Sequence, residues 1–160
     1  MAKDKKEKTN AMRRLDALKI QYGQHYYDGE EALSGTEVAA VLGQDPGQCF
    51  KTLVTVAPSK INYVFVIPVG ESLDLKKAAK TVSEKSIAMI KQKDLLPLTG
   101  YIHGGCSPIG MKKQFKTFIH ESAKDLDTFC ISAGHVGNQI QVSVSEVVNL
   151  VRAEFADLIC

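Results

Sequence analysis

The stretch CFKTLVTVAPSKINYVFVIPV, residues 49–69, contains the strongest strand signal in the chain. Its two halves, residues 49–57 and 61–69, are rich in β-branched and aromatic residues, which favour extended backbone. The segment Pro58-Ser59-Lys60 between them has the composition of a turn. The stretch therefore predicts an antiparallel hairpin, and Lys51 lies at the start of its first strand.

Helices are predicted on both sides of this hairpin. Thr9 is expected to cap the first, which carries Met12, Leu15 and Leu18 on one face and ends near Ile20. Three further helices are predicted. Thr36 caps the second helix and Gly43 ends it, and Ser72 caps the third. The last helix starts at Ser145, with these residues facing inward: Val147, Val148, Leu150, Val151 and Phe155.

Further strand signals complete the pattern. They are QYGQHYY at residues 21–27 and KSIAMI at residues 85–90, then a second hairpin from DTFCISA at 127–133 to NQIQVSVS at 138–145. No regular βαβ series is present. The mixture of elements predicts an α+β domain around a mixed, largely antiparallel sheet.

The composition is that of one globular domain. The 160 residues are 44% hydrophobic and 24% charged, and no apolar run reaches the roughly 20 residues that a membrane span needs. We expect a flexible lysine-rich leader at residues 1–8 and a single domain at residues 9–160. The net charge of +2 is too small to predict strong nucleic-acid binding by itself.

The cysteines and the N-terminus indicate a cytoplasmic protein without membrane contact. Cys49, Cys106, Cys130 and Cys160 show no CxxC spacing, and we interpret them as free thiols of a reducing compartment. The opening MAKDKKEKTN is charged, so it cannot be the hydrophobic part of a secretory signal.

A glycine-rich segment, GYIHGGCSPIGMKK at residues 100–113, allows two interpretations. It is either a tight connection or a loop whose bare backbone N–H groups meet a ligand. The segment contains no GxxxxGK[ST], and no GxGxxG follows a βαβ strand, so neither nucleotide fingerprint applies.

Other chemistry in this segment has weaker support. His103 and Cys106 lie three residues apart, but no further residues complete a zinc ligand set. A catalytic Cys–His pair stays open, because its partners can be remote in sequence. Ser107 lies in CSPIG rather than in a GxSxG elbow, which disfavours a hydrolase nucleophile.

Lys51 also allows two interpretations. As an edge lysine, it would pack its stem on apolar neighbours and extend its ammonium into water. As a functional residue, it would hold a phosphate or a developing anion beside a pocket. The lysine and the glycine-rich segment taken together favour the second interpretation.

Three segments together resemble the YbaK/EbsC family: FKTLV at residues 50–54, LDLKKAAK at 73–80 and GYIHGGCSPIG at 100–110. Members of this family are free-standing relatives of the editing domain inserted in bacterial prolyl-tRNA synthetases. The resemblance extends from about residue 9 to the C-terminus. It implies an α+β fold whose curved sheet forms a partly closed barrel with flanking helices.

The family resemblance implies a trans-acting deacylase of mischarged tRNA, closest in pattern to the group that hydrolyses Cys-tRNA(Pro). A prolyl site cannot strongly reject alanine or cysteine, since small apolar differences are worth only about 1–3 kcal/mol. The partners would be the aminoacylated 3′ end of a tRNA and prolyl-tRNA synthetase, and no metal or cofactor is expected. The resemblance implies an ester hydrolase with substrate-assisted chemistry, in which the substrate's own thiol attacks its ester; with the thiol as nucleophile, the enzyme would be classed as a lyase.

Site residues follow from both arguments. By resemblance, Lys51 matches the family's essential lysine, Thr52 lies beside it in the amino-acid pocket, and Tyr27 and Ser132 align with pocket residues. Backbone N–H groups at Gly104 and Gly105 are suited to stabilise the ester carbonyl oxygen. Three further residues are expected to shape the substrate-binding loop: Ser107, Pro108 and Gly110.

Two alternatives remain open. Leu33-Ser34-Gly35 stands where family members often carry an aromatic residue, so the substrate could be Ala-tRNA(Pro) or another mischarged tRNA. The chain could also be a non-catalytic regulatory or binding module on the same fold. A deacylation assay with different aminoacyl-tRNAs separates these alternatives.

Overall fold

The computed structural model describes residues 8–28 and 33–160. The predicted leader, apart from Lys8, lies outside the described residues. Among the described helices, none is long and apolar enough to cross a membrane.

The strands form two sheets and confirm the mixed α+β class. The strands are β1 (Tyr22–Tyr26), β2 (Phe50–Val56), β3 (Asn62–Pro68), β4 (Ala88–Met89), β5 (Lys116–His120), β6 (Thr128–His135), β7 (Asn138–Ser143) and β8 (Glu154–Ala156). One sheet has the order β1-β7-β6, and the other has the order β4-β2-β3-β5-β8. Both predicted hairpins, β2–β3 and β6–β7, are confirmed as antiparallel pairs.

Two strand pairs are parallel, β3 with β5 and β5 with β8, while the others are antiparallel. An isolated parallel bridge between Cys49 and Cys130 links the two sheets. No closed barrel is found among the described residues, so the partly closed barrel stays an expectation from the resemblance.

Five α-helices connect the strands among the described residues: α1 (Asn10–Ala17), α2 (Gly35–Val41), α3 (Leu75–Thr81), α4 (Gln92–Thr99) and α5 (Val144–Val151). Short 3₁₀ turns occupy Pro46–Gln48 and Glu121–Asp125. The predicted cap of α1 is confirmed, because the Thr9 side chain accepts a hydrogen bond from the Met12 N–H at 3.1 Å.

Two predicted helix caps are wrong. Ser34, not Thr36, caps α2, because Ser34 and Glu37 form a reciprocal capping box. Asp74, not Ser72, caps α3, since its carboxylate accepts from two backbone N–H groups in the first turn. Helix α5 begins at Val144, one residue before the predicted start at Ser145, and Ser143 caps it.

Two apolar residues lie elsewhere than predicted, and one helix was not predicted at all. Leu18 caps the end of α1 and is 48% exposed rather than on its apolar face. Phe155 belongs to β8, because α5 ends in a left-handed turn at Arg152. Helix α4 contains Pro97, which argues against a helix when the sequence is read alone.

The main core lies between the two sheets, where Phe50 of β2 meets Phe129 of β6 with ring centroids 5.3 Å apart. A second cluster covers the opposite face of the five-stranded sheet, where Phe65 and Phe118 stack under α3. Because side chains alternate along β2, Phe50 and Val54 enter the main core while Leu53 packs on the second cluster. This alternation places the side chains of Lys51 and Thr52 on opposite faces of β2.

Candidate active site

A cavity of about 230 Å³, partly open to solvent, is lined by residues of β2, β6, β7, α2 and the glycine-rich segment. Of the nine residues predicted for the site, five line this cavity: Tyr27, Lys51, Thr52, Gly104 and Ser132. The other four, Gly105, Ser107, Pro108 and Gly110, are outside its lining. The structure thus brings the hairpin and the first half of the glycine-rich segment to one site.

Lys51 is the lysine among the described residues that line the cavity. Its side chain is half-buried, and burial lowers the pKa of its ammonium, an effect that the nearby Glu71 carboxylate partly opposes. Within the described residues, no hydrogen bond or ion pair holds this ammonium. A charged group placed in this way is available to an anionic or strongly polar ligand.

Two buried side-chain oxygens at the cavity lack a hydrogen-bond partner among the described residues. Thr52 Oγ1 and Asn138 Oδ1 are the buried side-chain polar atoms without a hydrogen-bond partner in the described part of the chain. Both residues line the cavity, from β2 and from the start of β7. Unpartnered buried polar atoms are unfavourable and rare, so their coincidence at one cavity makes it a candidate ligand site.

Gly104 and Gly105 have different surroundings. Gly104 has a left-handed backbone with φ +85° and lines the cavity, and its N–H has no hydrogen-bond partner among the described residues. The Gly105 N–H donates to the Ile102 carbonyl at 3.0 Å, and a Cβ on Gly105 would lie 2.9 Å from the Val136 backbone nitrogen. Gly105 therefore packs the segment against the β6–β7 turn.

The second half of the segment is buried beneath α1. The Tyr101 hydroxyl donates to the Ile109 carbonyl at 2.6 Å and accepts from the Ala11 N–H. Ser107 is fully buried, and its Oγ accepts from the Ile109 N–H. Gly110 has φ +78°, and a Cβ there would lie 2.9 Å from the Asn10 backbone. These contacts support the loop and do not form the cavity wall.

Tyr27 and Ser132 approach the cavity from the three-stranded sheet. Tyr27 follows β1, and its backbone N–H donates to the Gly137 carbonyl at 3.0 Å. Ser132 lies opposite Gln139 in the β6–β7 register, just before a bulge that extends to His135. The Ser132 hydroxyl accepts from the Gly134 N–H at 3.1 Å, which keeps it at the cavity edge.

Sequence reasoning missed a hydrogen-bonded network that includes two residues of the cavity lining, Cys49 and Gln139. The Cys49 thiol donates to Gln44 Oε1 at 3.2 Å, and Gln44 Nε2 donates to Gln139 Oε1 at 2.6 Å. A hydrogen bond with Cys130 and burial together raise the pKa of Cys49, so this thiol stays protonated. Asn138 was also missed, because an asparagine after a turn reads simply as a turn residue.

Other chemistry at the cavity is limited by its surroundings. Burial raises the pKa of the Cys106 thiol to about 12, so it is not a thiolate near neutral pH. His103 also lines the cavity, and this residue is exposed. Among the residues described, no group of three His, Cys, Asp or Glu side chains could hold a metal ion.

Two solved structures share the fold of this chain. The crystal structure of a candidate trans-editing enzyme for prolyl-tRNA synthetase matches with a TM-score of 0.81 and 22% identity, covering 96% of this chain and 99% of that one. The structure of the hypothetical protein APE2540 matches with a TM-score of 0.84 and 18% identity, covering 94% and 99%.

Sequence comparison gives the family. The model of the aminoacyl-tRNA editing domain matches residues 30–150. An Enterococcus faecalis protein named as a candidate Cys-tRNA(Pro)/Cys-tRNA(Cys) deacylase, EbsC, is 44% identical over 160 residues, covering 99% of this chain and 98% of that protein. The chain belongs to the aminoacyl-tRNA editing domain family, which confirms the resemblance read from the three sequence segments.

Proposed function

We propose that the protein is a trans-acting deacylase that removes cysteine from mischarged Cys-tRNA(Pro). The observation that carries this proposal is the presence of Lys51 and Gly104 on the wall of one cavity, together with Tyr27, Thr52 and Ser132. Family membership and the name of the 44% identical relative support the reaction and the cysteinyl substrate.

In this proposal, the cavity positions the ester rather than attacking it. The Lys51 ammonium contacts the terminal phosphate or the ribose of the last nucleotide. The Gly104 N–H donates to the ester carbonyl oxygen, whose negative charge grows in the transition state. Because an aminoacyl ester is already activated, orientation and charge stabilisation are sufficient for a large acceleration.

The proposed nucleophile is the thiol of the substrate. Its sulfur bonds to the carbonyl carbon, the ester C–O bond breaks, and the thiol proton ends on the ribose oxygen, leaving a cyclic thioester. This route needs no nucleophile from the protein, which agrees with a Cys106 thiol that burial keeps protonated. A reaction of this type is classed as a lyase rather than as a hydrolase.

The name of the relative favours a second substrate, Cys-tRNA(Cys). A site that contacts only the 3′ end would treat both tRNAs alike, because they carry the same terminal adenosine and the same cysteinyl group. Selection of tRNA(Pro) would then come from a partner. We propose that prolyl-tRNA synthetase delivers the substrate, since a net charge of +2 provides little intrinsic affinity for tRNA.

The test is a deacylation assay with cysteinyl-, alanyl- and seryl-tRNA(Pro) and the purified protein. We expect rapid loss of the cysteinyl ester and little loss of the others. Hydrolysis of the seryl ester at the cysteinyl rate would contradict thiol assistance. Preferential hydrolysis of the alanyl ester would show that the substrate is Ala-tRNA(Pro) rather than Cys-tRNA(Pro). If no ester is hydrolysed, the deacylase proposal fails and the protein is better described as a non-catalytic binding module.

The synthetase proposal has its own test. Adding prolyl-tRNA synthetase at substrate concentrations below KM should raise the rate on Cys-tRNA(Pro) and leave the rate on Cys-tRNA(Cys) unchanged. Equal rates with and without the synthetase would contradict delivery and leave the deacylase proposal intact.

A further inference from the structure

Asn138 carries a buried side-chain oxygen at the cavity that has no hydrogen-bond partner among the described residues. It is 7% exposed and is the first residue of β7, where it pairs with Tyr26 of β1 and His135 of β6. Pairing on both sides fixes its backbone, so its amide has a defined place at the cavity wall. Its Oδ1 nevertheless has no hydrogen-bond partner among the described residues.

We propose that Asn138 is a positioning residue that accepts a hydrogen bond from the α-amino group of the bound aminoacyl ester, with Thr52 Oγ1 as a second polar contact from β2. This inference rests on the proposed deacylase function and deepens it. It assigns recognition of the amino group to the three-stranded sheet and recognition of the nucleotide to Lys51.

The charges around the cavity favour this assignment. Among the described residues that line it, Lys51 is the charged one, and none is an aspartate or glutamate. An α-amino group in such a cavity must be held by neutral oxygens, away from the lysine. It has N–H donors whether protonated or neutral, so an amide oxygen suits both forms.

Two other side-chain acceptors of the cavity already have a protein partner. Gln139 Oε1 accepts from Gln44 at 2.6 Å, and Ser132 Oγ accepts from the Gly134 N–H at 3.1 Å. The buried oxygens of Thr52 and Asn138 have no partner among the described residues. Protein atoms cover both oxygens in the free molecule, so the Asn138 amide must turn toward the cavity to meet a ligand, and χ2 of asparagine is a soft torsion.

The experiment compares two substrates with two variants. Cysteinyl-tRNA(Pro) and 3-mercaptopropionyl-tRNA(Pro) share the thiol and the ester, but the second lacks the α-amino group. Asn138→Ala should lower kcat/KM about tenfold or more on the cysteinyl ester. The same variant should leave the rate on the amine-free ester nearly unchanged. Asn138→Asp, which keeps an acceptor oxygen, should retain the preference for the amine.

Gln141→Ala is the matched control, because Gln141 lies on the same strand, is exposed, and donates to Thr128 away from the cavity. It should behave as the unaltered protein on both esters. Asn138→Ala should also keep the thermal unfolding midpoint, since it removes an oxygen that has no hydrogen-bond partner among the described residues. An equal loss on both esters, or a loss matched by a lower midpoint, would overturn the assignment.

A binding measurement separates this inference from the proposed function. The probe is 3′-cysteinylamino-3′-deoxyadenosine, whose amide resists hydrolysis, compared with its amine-free analogue. We expect tighter binding of the amine-bearing probe, and loss of that difference in Asn138→Ala. If the protein hydrolyses cysteinyl-tRNA but binds both probes equally, the Asn138 assignment fails alone. If it neither hydrolyses the ester nor binds either probe, both proposals fail.

Discussion

The two halves of the glycine-rich segment differ in their surroundings: the first half reaches the cavity, and the second half is buried beneath α1. The first half brings Gly104 to the cavity that Lys51 also lines, and the Gly104 N–H has no hydrogen-bond partner among the described residues. The second half, from Ser107 to Gly110, is buried against Tyr101 and the start of α1. Substitutions in the first half should therefore affect activity, whereas those in the second should affect stability.

The largest expected effect is on the cavity side. Lys51→Ala should lower kcat on Cys-tRNA(Pro) about a hundredfold or more, because it removes the charge that contacts the nucleotide. Lys51→Met, which keeps the apolar stem, should lose as much. Both variants should unfold at or above the normal temperature, since a half-buried ammonium without a described partner does not stabilise the fold.

Lys80→Ala is the control for these variants, because Lys80 is an exposed lysine of α3. It should retain full activity. Full activity in Lys51→Ala would show instead that the cavity is not the site of the reaction.

The second largest effect is expected on the stability of the buried second half of the glycine-rich segment. Gly110→Ala should destabilise the protein by about 1–3 kcal/mol, because alanine is strained at φ +78° and its Cβ would meet the Asn10 backbone. Gly43→Ala is the matched control. Gly43 has a similar φ of +67°, but a Cβ there meets nothing within 4 Å.

Urea unfolding of both glycine variants measures the difference. Gly110→Ala should lose clearly more free energy of unfolding than Gly43→Ala, with kcat of its folded fraction preserved. Equal losses would indicate that backbone strain alone matters and that the packing beneath α1 is loose.

A smaller effect concerns pH. Because burial lowers the pKa of Lys51, activity should decline with rising pH before the ordinary lysine pKa of 10.5 is reached. The unfolded chain binds more protons in this window, so the contribution of Lys51 to stability rises with pH and cannot explain the decline. The rate, corrected for spontaneous ester hydrolysis and for ionisation of the substrate thiol, should be followed between about pH 7 and 10. A flat profile across this range would contradict the role of a charged Lys51.

The smallest effect is expected at His103. This residue lines the cavity, yet substrate-thiol attack gives it no proton to transfer from a protein nucleophile. His103→Ala should therefore change kcat on Cys-tRNA(Pro) by no more than about twofold, measured under single-turnover conditions. A loss comparable to that of Lys51→Ala would favour a histidine-activated water.

The sequence predicts local features well where one physical effect dominates. Runs of β-branched and aromatic residues predict both antiparallel hairpins, and the Thr9 cap follows from its spacing to Met12. The parallel strands β5 and β8 escape prediction because their partners are distant in the chain. Helix α4 escapes because tertiary packing tolerates Pro97 within it.

The same limit applies to the site. Lys51 and Gly104 stand out because a lysine in a strand and a cluster of glycines are locally unusual. Asn138 and Cys49 look ordinary in sequence, and only the approach of β7, β2 and β6 makes them cavity residues. Their significance depends on contacts that are 80 or more positions apart in the printed sequence.

The crystal structure of the protein with 3′-cysteinylamino-3′-deoxyadenosine tests the central claim most directly. We predict that the acyl carbonyl lies about 3 Å from the Gly104 nitrogen, with the sugar beside the Lys51 ammonium and the amino group toward Asn138. Binding of the compound outside this cavity, or inside it without contact to Lys51 or Gly104, would contradict the claim.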